Sequence, residues 1–350
     1  MNRLTLLFSI LLFVNNCSFN ENQKLWKDKD TKLENQKNIK KLFIKKELNT
    51  VELNPQLKLD LIKIIFNNQN VEDKNNYGAF NYQGLLKEIG NYKFSKLNNI
   101  NKLNFTPIFL DDGTIFFDKK GNIIRYNQDQ KIIWKKNHYS KAEKKLGPKL
   151  NFAVSKQALL VTDNIAKYYS INISNGELIW SKNNTYPFNS EIKIFGEKFF
   201  VIDYKNTLRC YNINSGLECW NLQTEDSFIL SDNKHSLIIL DNLIIFSNLI
   251  GDITAVDINT GKILWQLPTQ SSSIINEIYS FKNSKLVSDG SSIYFSNNKN
   301  QFYSINYKNG TINWINDINS HLTSVIIGNF IFTVTNEGYL VVIDKEKGNI

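Results

Sequence analysis

The sequence predicts an all-β fold of repeated four-stranded antiparallel sheets, and three observations support it. Five tryptophans lie at positions 134, 180, 220, 265 and 314, separated by 46, 40, 45 and 49 residues. A glycine precedes each of the last four by four residues, and short segments of alternating apolar and polar residues fill the intervals. A period of this size suits one sheet of a radial repeat, so the predicted arrangement is a β-propeller whose sheets are its blades.

One copy of the repeat shows how each blade is built. Residues 252–258 alternate apolar and polar side chains, as a half-buried strand does. Residues 259–261, Asn-Thr-Gly, have turn chemistry, because glycine adopts a positive φ at no steric cost. Residues 262–267 return as the partner strand, and residues 237–240 and 243–247 supply two further strands upstream. The copy therefore predicts four antiparallel strands.

The repeated tryptophans and glycines are predicted to be structural. A single blade leaves both faces apolar, and radial stacking of blades buries those faces. An indole at a fixed position would pack against the neighbouring blade and donate its N–H to an acceptor there. The alternative is an aromatic cage for a ligand. The predicted docking residues are Trp134, Trp180, Trp220, Trp265, Trp314, Gly176, Gly216, Gly261 and Gly310.

The first and last copies depart from the pattern. Gln130 stands in the first copy where the others have glycine, so its turn is predicted to differ. A sixth copy begins at His321 and ends within turn residues 345–350, before the aromatic residue that the pattern calls for. We therefore expect about six blades over residues 104–350, with the last one incomplete at its C-terminal end.

The N-terminus predicts export. Arg3 precedes an apolar run from Leu4 to Val14, which is too short to cross a bilayer and has the length of a signal-peptide core. Cys17 follows this run and resembles the cleavage site of bacterial lipoproteins, although Asn16 replaces the small residue usual there. Residues 1–16 are predicted to be a signal peptide and Cys17 the lipid attachment site. The alternative is an ordinary secretory signal with an incidental cysteine.

Two segments separate the lipid site from the repeats. Residues 17–50 are rich in lysine and asparagine and carry much of the net charge of +9. They are predicted to be a solvated tether, or a basic segment that touches anionic lipid head groups. Residues 51–103 form an N-terminal extension, in which residues 91–97 alternate like a strand. Nucleic acid is not expected as a partner, because no recognition motif is present.

Two further cysteines, Cys210 and Cys219, flank the turn residues 212–216. They could face each other across a hairpin, and an oxidising compartment would permit a disulfide between them. The alternative is two small apolar residues on adjacent strands. The sequence leaves both interpretations open.

The sequence does not contain a residue pattern typical of an active site or a metal site. Its three histidines, His138, His235 and His321, are spread over three copies without ligand spacing. Motifs of serine hydrolases, zinc proteases and phosphate-binding loops are missing. We predict no catalytic residue, no metal and no cofactor. The candidate partner-contact segments are the lysine-rich residues 139–149 and residues 186–188, with solvated connections between blades as the alternative.

The repeat resembles that of the pyrroloquinoline-quinone (PQQ) propellers. Residues 255–265 read Ala-Val-Asp-Ile-Asn-Thr-Gly-Lys-Ile-Leu-Trp and match the tryptophan-docking pattern Ala-x-Asp-x-x-Thr-Gly-x-x-x-Trp of that family. Combined with a lipoprotein signal, the repeat is similar to the B-subunit lipoproteins of the outer-membrane β-barrel assembly (Bam) machinery. The resemblance covers residue 104 to the end. It implies eight blades in the full protein, closed by an N-terminal strand for which residues 91–97 are the candidate.

The resemblance implies a scaffold and not an enzyme. In that family the propeller binds the POTRA domains of the barrel-inserting outer-membrane subunit, as a monomer within the complex. It is held by its lipid at the periplasmic face of the outer membrane, and Ser18 is compatible with sorting there. Two alternatives remain, a PQQ-dependent dehydrogenase or its remnant, and a propeller for another envelope ligand. PQQ dehydrogenases place two adjacent cysteines over the cofactor, and no Cys-Cys pair occurs in this sequence.

Overall fold

The computed structural model describes residues 107–156, 158–224, 234–248, 251–269 and 281–350. The predicted signal peptide, the lipid site Cys17, the tether, the extension and the strand at residues 91–97 all lie outside these ranges. Within the ranges, 23 strands and one short helix are found, and the strands form six antiparallel sheets. No helix in the described part is long and apolar enough to cross a membrane.

The sheets follow the chain as blades 1 to 6, and each is a meander in which consecutive strands pair. Blades 1 to 3 contain β1 (Ile108–Leu110), β2 (Gly113–Phe117), β3 (Asn122–Asn127) and β4 (Ile132–Asn137); β5 (Leu150–Ser155), β6 (Ala158–Asp163), β7 (Lys167–Asn172) and β8 (Leu178–Asn183); and β9 (Lys193–Phe195), β10 (Lys198–Ile202), β11 (Thr207–Asn212) and β12 (Glu218–Gln223). Blades 4 to 6 contain β13 (Ser236–Leu240), β14 (Leu243–Ser247), β15 (Ile253–Asp257) and β16 (Ile263–Leu267); β17 (Val287–Ser288), β18 (Ser292–Asn297), β19 (Gln301–Asn306) and β20 (Ile312–Asn316); and β21 (Val325–Ile327), β22 (Phe330–Val334) and β23 (Leu340–Asp344). The helix α1 (Lys141–Lys145) connects blades 1 and 2. The predicted all-β propeller of four-stranded blades is confirmed, and blade 6 has three strands.

The hydrophobic core is divided among the blade interfaces. Each of five buried clusters joins two consecutive blades, as between blades 1 and 2, where Ile115 and Ile123 share a cluster with Leu159 and Tyr169. The middle strands are buried on both faces, so β14 and β15 show almost continuous burial in place of simple alternation. Stacking of one blade on the next is therefore what buries the apolar side chains.

The fourth strand of blades 1 to 5 carries a β-bulge that the sequence pattern did not reveal. In blade 4, Ala255 pairs with Trp265 and Val256 pairs with Ile263, which leaves Leu264 as the extra residue. The same register shift precedes the tryptophan in blades 1, 2, 3 and 5. A bulge bends its strand and re-aims the side chain next to it. The bulge therefore turns each indole toward the following blade.

The turns between the second and third strands are held by a side chain at the end of the second strand. Asp118, Asp163 and Asp203 each accept two backbone N–H bonds with Oδ1 from the turn that follows. Asn248 and Asn297 occupy the same place in blades 4 and 5, where Asn248 accepts from Asp252 and Asn297 accepts from Lys299. Short polar side chains stabilise tight turns in this way.

Candidate functional site

The three histidines lie in three different connections between blades. His138 follows β4, His235 precedes β13 and His321 precedes β21. Burial lowers the pKa of His235 to about 4, which keeps its imidazole neutral near pH 7. Among the described residues, no group of His, Cys, Asp or Glu side chains could hold a metal ion.

The five repeat tryptophans all make the same hydrogen bond to the next blade. Each indole N–H donates to a backbone carbonyl of the following blade at the turn after its third strand. The acceptors and donor–acceptor distances are Trp134 to Ile173 (2.8 Å), Trp180 to Ile213 (2.8 Å), Trp220 to Ile258 (3.3 Å), Trp265 to Tyr307 (3.0 Å) and Trp314 to Lys345 (3.1 Å). A buried indole with its N–H satisfied fixes both the position and the orientation of the ring.

A glycine of the same turn lies under each ring. Cβ atoms placed on these glycines would come within 2.6 to 2.7 Å of indole carbons, which is far inside contact distance. The pairs are Gly176 with Trp134, Gly216 with Trp180, Gly261 with Trp220, Gly310 with Trp265 and Gly348 with Trp314. Gly348 was not among the predicted docking residues, although it occupies the same place in blade 6. Five joints of one geometry thus link blades 1 to 6.

Cys210 and Cys219 are free thiols on paired strands, Cys210 buried and Cys219 exposed. Cys219 is the bulge residue of blade 3, because the ladder shifts register between Cys210 and Tyr211. Burial raises the pKa of Cys210, and the neighbouring Cys219 thiol raises it further. The disulfide between them stays a prediction.

The blade connections and the turns after each second strand share one face of the propeller, called here the connection face. The opposite face, called the hairpin face, carries the other two turns of each blade. Both predicted partner-contact segments, residues 139–149 and 186–188, lie on the connection face. Large apolar side chains exposed on this face include Leu146 (66%), Tyr186 (40%), Leu322 (46%) and Tyr339 (41%). A shallow groove of about 390 Å³ lies on the hairpin face between blades 2 and 3.

The first of these segments is anchored to blade 2. Ser140 and Glu143 form a capping box at the start of α1, and Lys167 bonds to Glu143 at 3.1 Å. The buried Tyr139 hydroxyl donates to Asp163 at 2.6 Å, and burial raises the pKa of Asp163 to about 6. These contacts hold the segment in place on blade 2, with Leu146 and the lysines on its surface.

The second segment has one buried and one exposed aromatic ring. Phe188 is buried and packs edge-to-face against Tyr168. Tyr186 is exposed, with the Lys205 ammonium 5.8 Å from the centre of its ring. The buried ring anchors the loop, and the exposed one is available for contact.

Charged side chains gather where the first strands of blades 2 to 5 begin. This axial lysine cluster consists of Lys149, Lys193, Lys234 and Lys285 around Glu191. The Lys193 ammonium lies 3.5 Å from Glu191, and Lys285 forms an ion pair with the same carboxylate. Lys234 donates to Asn151 at 2.9 Å. No sequence pattern predicts this cluster, because its members are spread over 137 positions, from residue 149 to residue 285.

The family model described as outer membrane protein assembly factor BamB matches residues 119–350. The crystal structure of BamB from Moraxella catarrhalis superposes with a TM-score of 0.58 at 18% identity, over 73% of this chain and 76% of that one. The computationally designed Ika8 protein gives 0.54 at 12% identity, over 68% and 70%. A quinohemoprotein alcohol dehydrogenase from Pseudomonas putida HK5 gives 0.47 at 16% identity, over 61% and 41%, a likeness too weak to carry an argument. No curated protein sequence matches the chain.

Proposed function

The chain belongs to the family of outer membrane protein assembly factor BamB, and on that premise we propose that it is a non-catalytic scaffold lipoprotein of outer-membrane β-barrel assembly. Its proposed partner is the barrel-inserting outer-membrane subunit, bound through the POTRA domains of that subunit. The proposed location is the periplasmic face of the outer membrane, with Cys17 as the lipid attachment site. The observation that carries the proposal is the family match over residues 119–350, from the turn after β2 in blade 1 through blade 6.

The connection face supports a role in protein binding. Interfaces are centred on a few apolar or aromatic anchors on a well-held surface, surrounded by polar groups. Leu146, Tyr186 and Leu322 have this character, and α1 and Phe188 fix the segments that carry two of them. We propose that the partner docks on this face.

The repeated joints support a scaffold role as well. Each joint combines a hydrogen bond with an indole packed on a glycine, so neighbouring blades are held in a fixed relation. A rigid frame lowers the entropy lost when surface side chains bind a partner.

The test is co-purification from membranes in mild detergent, with mass spectrometry of the recovered proteins. The wild-type chain is expected to recover the barrel-inserting subunit. A Leu146→Ser/Tyr186→Ala/Leu322→Ser variant should reduce that recovery by about tenfold or more, because hot-spot residues dominate binding. Leu217→Ser is the matched control, since Leu217 is 60% exposed on the hairpin face. Cys17→Ser should release the protein from the membrane.

Two results would contradict the proposal. If the folded, membrane-bound wild type recovers other envelope proteins without the barrel-inserting subunit, the role in barrel assembly is wrong. If the triple variant and Leu217→Ser recover that subunit equally, the connection face is not the docking surface.

A further inference from the structure

The axial lysine cluster lies beside the axis around which the blades are arranged. Lys285 of blade 5 reaches Glu191 of blade 3, and Lys234 of blade 4 reaches Asn151 of blade 2. Each contact joins two blades that have another blade between them. Side chains can span that distance only near the axis, where the blades converge. All five charged members sit at or just before the first strands, where these strands start from the connection face.

The cluster holds an excess of positive charge. Within the described residues it contains four ammonium groups and one carboxylate, which gives a net charge of +3. The two oxygens of Glu191 are already engaged, Oε2 by Lys193 and Oε1 by Lys285. Lys234 bonds to the neutral oxygen of Asn151, and an ammonium has three donors. Donors therefore remain for another acceptor.

One member of the cluster is buried and three are exposed. The Lys193 side chain is only 4% exposed and pairs with Glu191, whereas Lys149, Lys234 and Lys285 are open to solvent and to a ligand. Desolvation by the surrounding protein lowers the pKa of Lys234, and the ammoniums of Lys285 and Lys149 lower it further against the opposing effect of Glu191. Burial alone would raise the pKa of Glu191, but Lys193, Lys285 and Lys234 outweigh it and hold that pKa below its ordinary value.

We propose that the axial lysine cluster binds a phosphate group in its dianionic form, as inorganic phosphate or as the phosphomonoester head group of a lipid. A phosphomonoester carries a charge of about −1.5 to −2 near pH 7 and offers three acceptor oxygens. It balances a net charge of +3 better than a carboxylate, which carries a single negative charge. Lysine binds phosphate as a point charge from several directions, which suits ammoniums supplied by four different blades. The site is independent of the scaffold proposal.

The experiment is calorimetric titration of the whole chain with inorganic phosphate at low ionic strength, and with acetate as the monoanionic control. Lys234→Met should weaken phosphate binding by about tenfold, since one direct ammonium contact is lost. Lys262→Met is the matched control, because it removes the same charge from an exposed position on the hairpin face of the same blade; its effect should stay below about twofold. Glu191→Gln should strengthen binding by about fivefold or more, because it removes the competing carboxylate. A folding defect would not produce this gain.

A vesicle arm distinguishes the two sources of phosphate. The Cys17→Ser chain, which lacks the predicted lipid site, is floated with phosphatidylcholine vesicles containing phosphatidic acid or phosphatidylglycerol. Binding confined to phosphatidic acid indicates a lipid phosphomonoester, whereas phosphate binding without flotation indicates a soluble ligand.

Several outcomes would overturn the proposal. These are no saturable phosphate binding by the wild type, equal losses in Lys234→Met and Lys262→Met, or no gain in Glu191→Gln. Binding of an acidic peptide where phosphate does not bind would assign the cluster to a protein partner instead.

Discussion

Blade 1 and blade 4 form the turn between their third and fourth strands in two different ways. In blade 4 the turn after the third strand contains Gly261 at a φ of 68°, and the Trp220 ring lies on it. In blade 1 the corresponding residue is Gln130 at a φ of 63°, in a turn that is one residue shorter. The left-handed conformation is thus common to both turns, and it does not by itself require glycine. Glycine is required where the indole of the preceding blade must come close.

The position of each blade in the chain explains the difference. Blade 1 is the first of the described blades, and Trp134 of its own fourth strand is the first tryptophan of the described residues. No described blade therefore places an indole on the Gln130 turn. From blade 2 onward every such turn receives one. Gln130 in place of glycine was predicted to give a different turn, and the prediction is confirmed in the length of the turn.

The largest expected effect comes from removing a ring. Trp134→Ala should lower the free energy of unfolding by about 5 kcal/mol, because it empties a buried site and removes one of the two donors to the carbonyl of Ile173, the other being Arg125. Urea unfolding followed by circular dichroism measures it. Ile133→Ala, at the exposed bulge residue beside it, should cost less than about 0.5 kcal/mol. Equal costs would mean that the joint does not hold blades 1 and 2 together.

Gly261→Ala tests whether the nearby indole ring or the left-handed backbone conformation requires glycine at this position. The new Cβ would lie 2.6 Å from the Trp220 ring, so the expected loss of stability is about 3 kcal/mol from overpacking and backbone strain together. In a Trp220→Ala background the loss should fall to about 1 kcal/mol, the cost of the left-handed conformation alone. Additive losses in the double variant would show that the backbone, and not the ring, selects glycine.

Asp163→Asn extends the comparison to the turns after the second strands, which begin with aspartate in blades 1 to 3 and with asparagine in blades 4 and 5. Burial raises the pKa of Asp163 from 3.8 to about 6, so the folded state holds its proton more tightly than the unfolded state does. The stabilisation by this group is present at low pH and is lost as the pH rises through about 6. The variant should therefore be more stable than the wild type by about 2 kcal/mol at neutral pH, and should lose this part of the pH dependence. Urea titrations at neutral pH and at about pH 4 measure both effects, and a less stable variant at neutral pH would refute the expectation.

The smallest effect is expected at Gln130. Gln130→Gly should change the free energy of unfolding by less than about 0.5 kcal/mol, because relief of the left-handed strain is offset by the greater entropy of the unfolded chain. The same urea titration applies. A gain of more than about 1 kcal/mol would show that the left-handed residue in the turn of blade 1 is as strained as the alanine of Gly261→Ala is expected to be in the Trp220→Ala background.

The fold could be predicted from the sequence because its determinants are local and repeated. The pattern from Ala255 to Trp265 contains one strand, its turn and the ring that docks, and repetition removes the ambiguity of any single copy. The bulge before each tryptophan was missed, since residues such as Ile263 and Leu264 look like an ordinary strand although they are exposed.

The axial lysine cluster could not be predicted for a different reason. Lys149, Lys234 and Lys285 lie in connections of different lengths and share no local motif. Their proximity arises only when four blades are arranged around one axis. Turn aspartates such as Asp163 were visible in the sequence, but their burial and the raised pKa depend on the neighbouring blade.

The indole joint also has a direction. Each of blades 2 to 5 supplies a ring from its last strand and offers a carbonyl and a glycine from its preceding turn, so it resembles a monomer in a head-to-tail polymer whose two ends are chemically different. Such a polymer can grow by duplication of one unit without any new contact, because every added unit brings both halves of the joint. The number of units in a closed ring is then a matter of the angle at each joint, and not of the chemistry of any one unit.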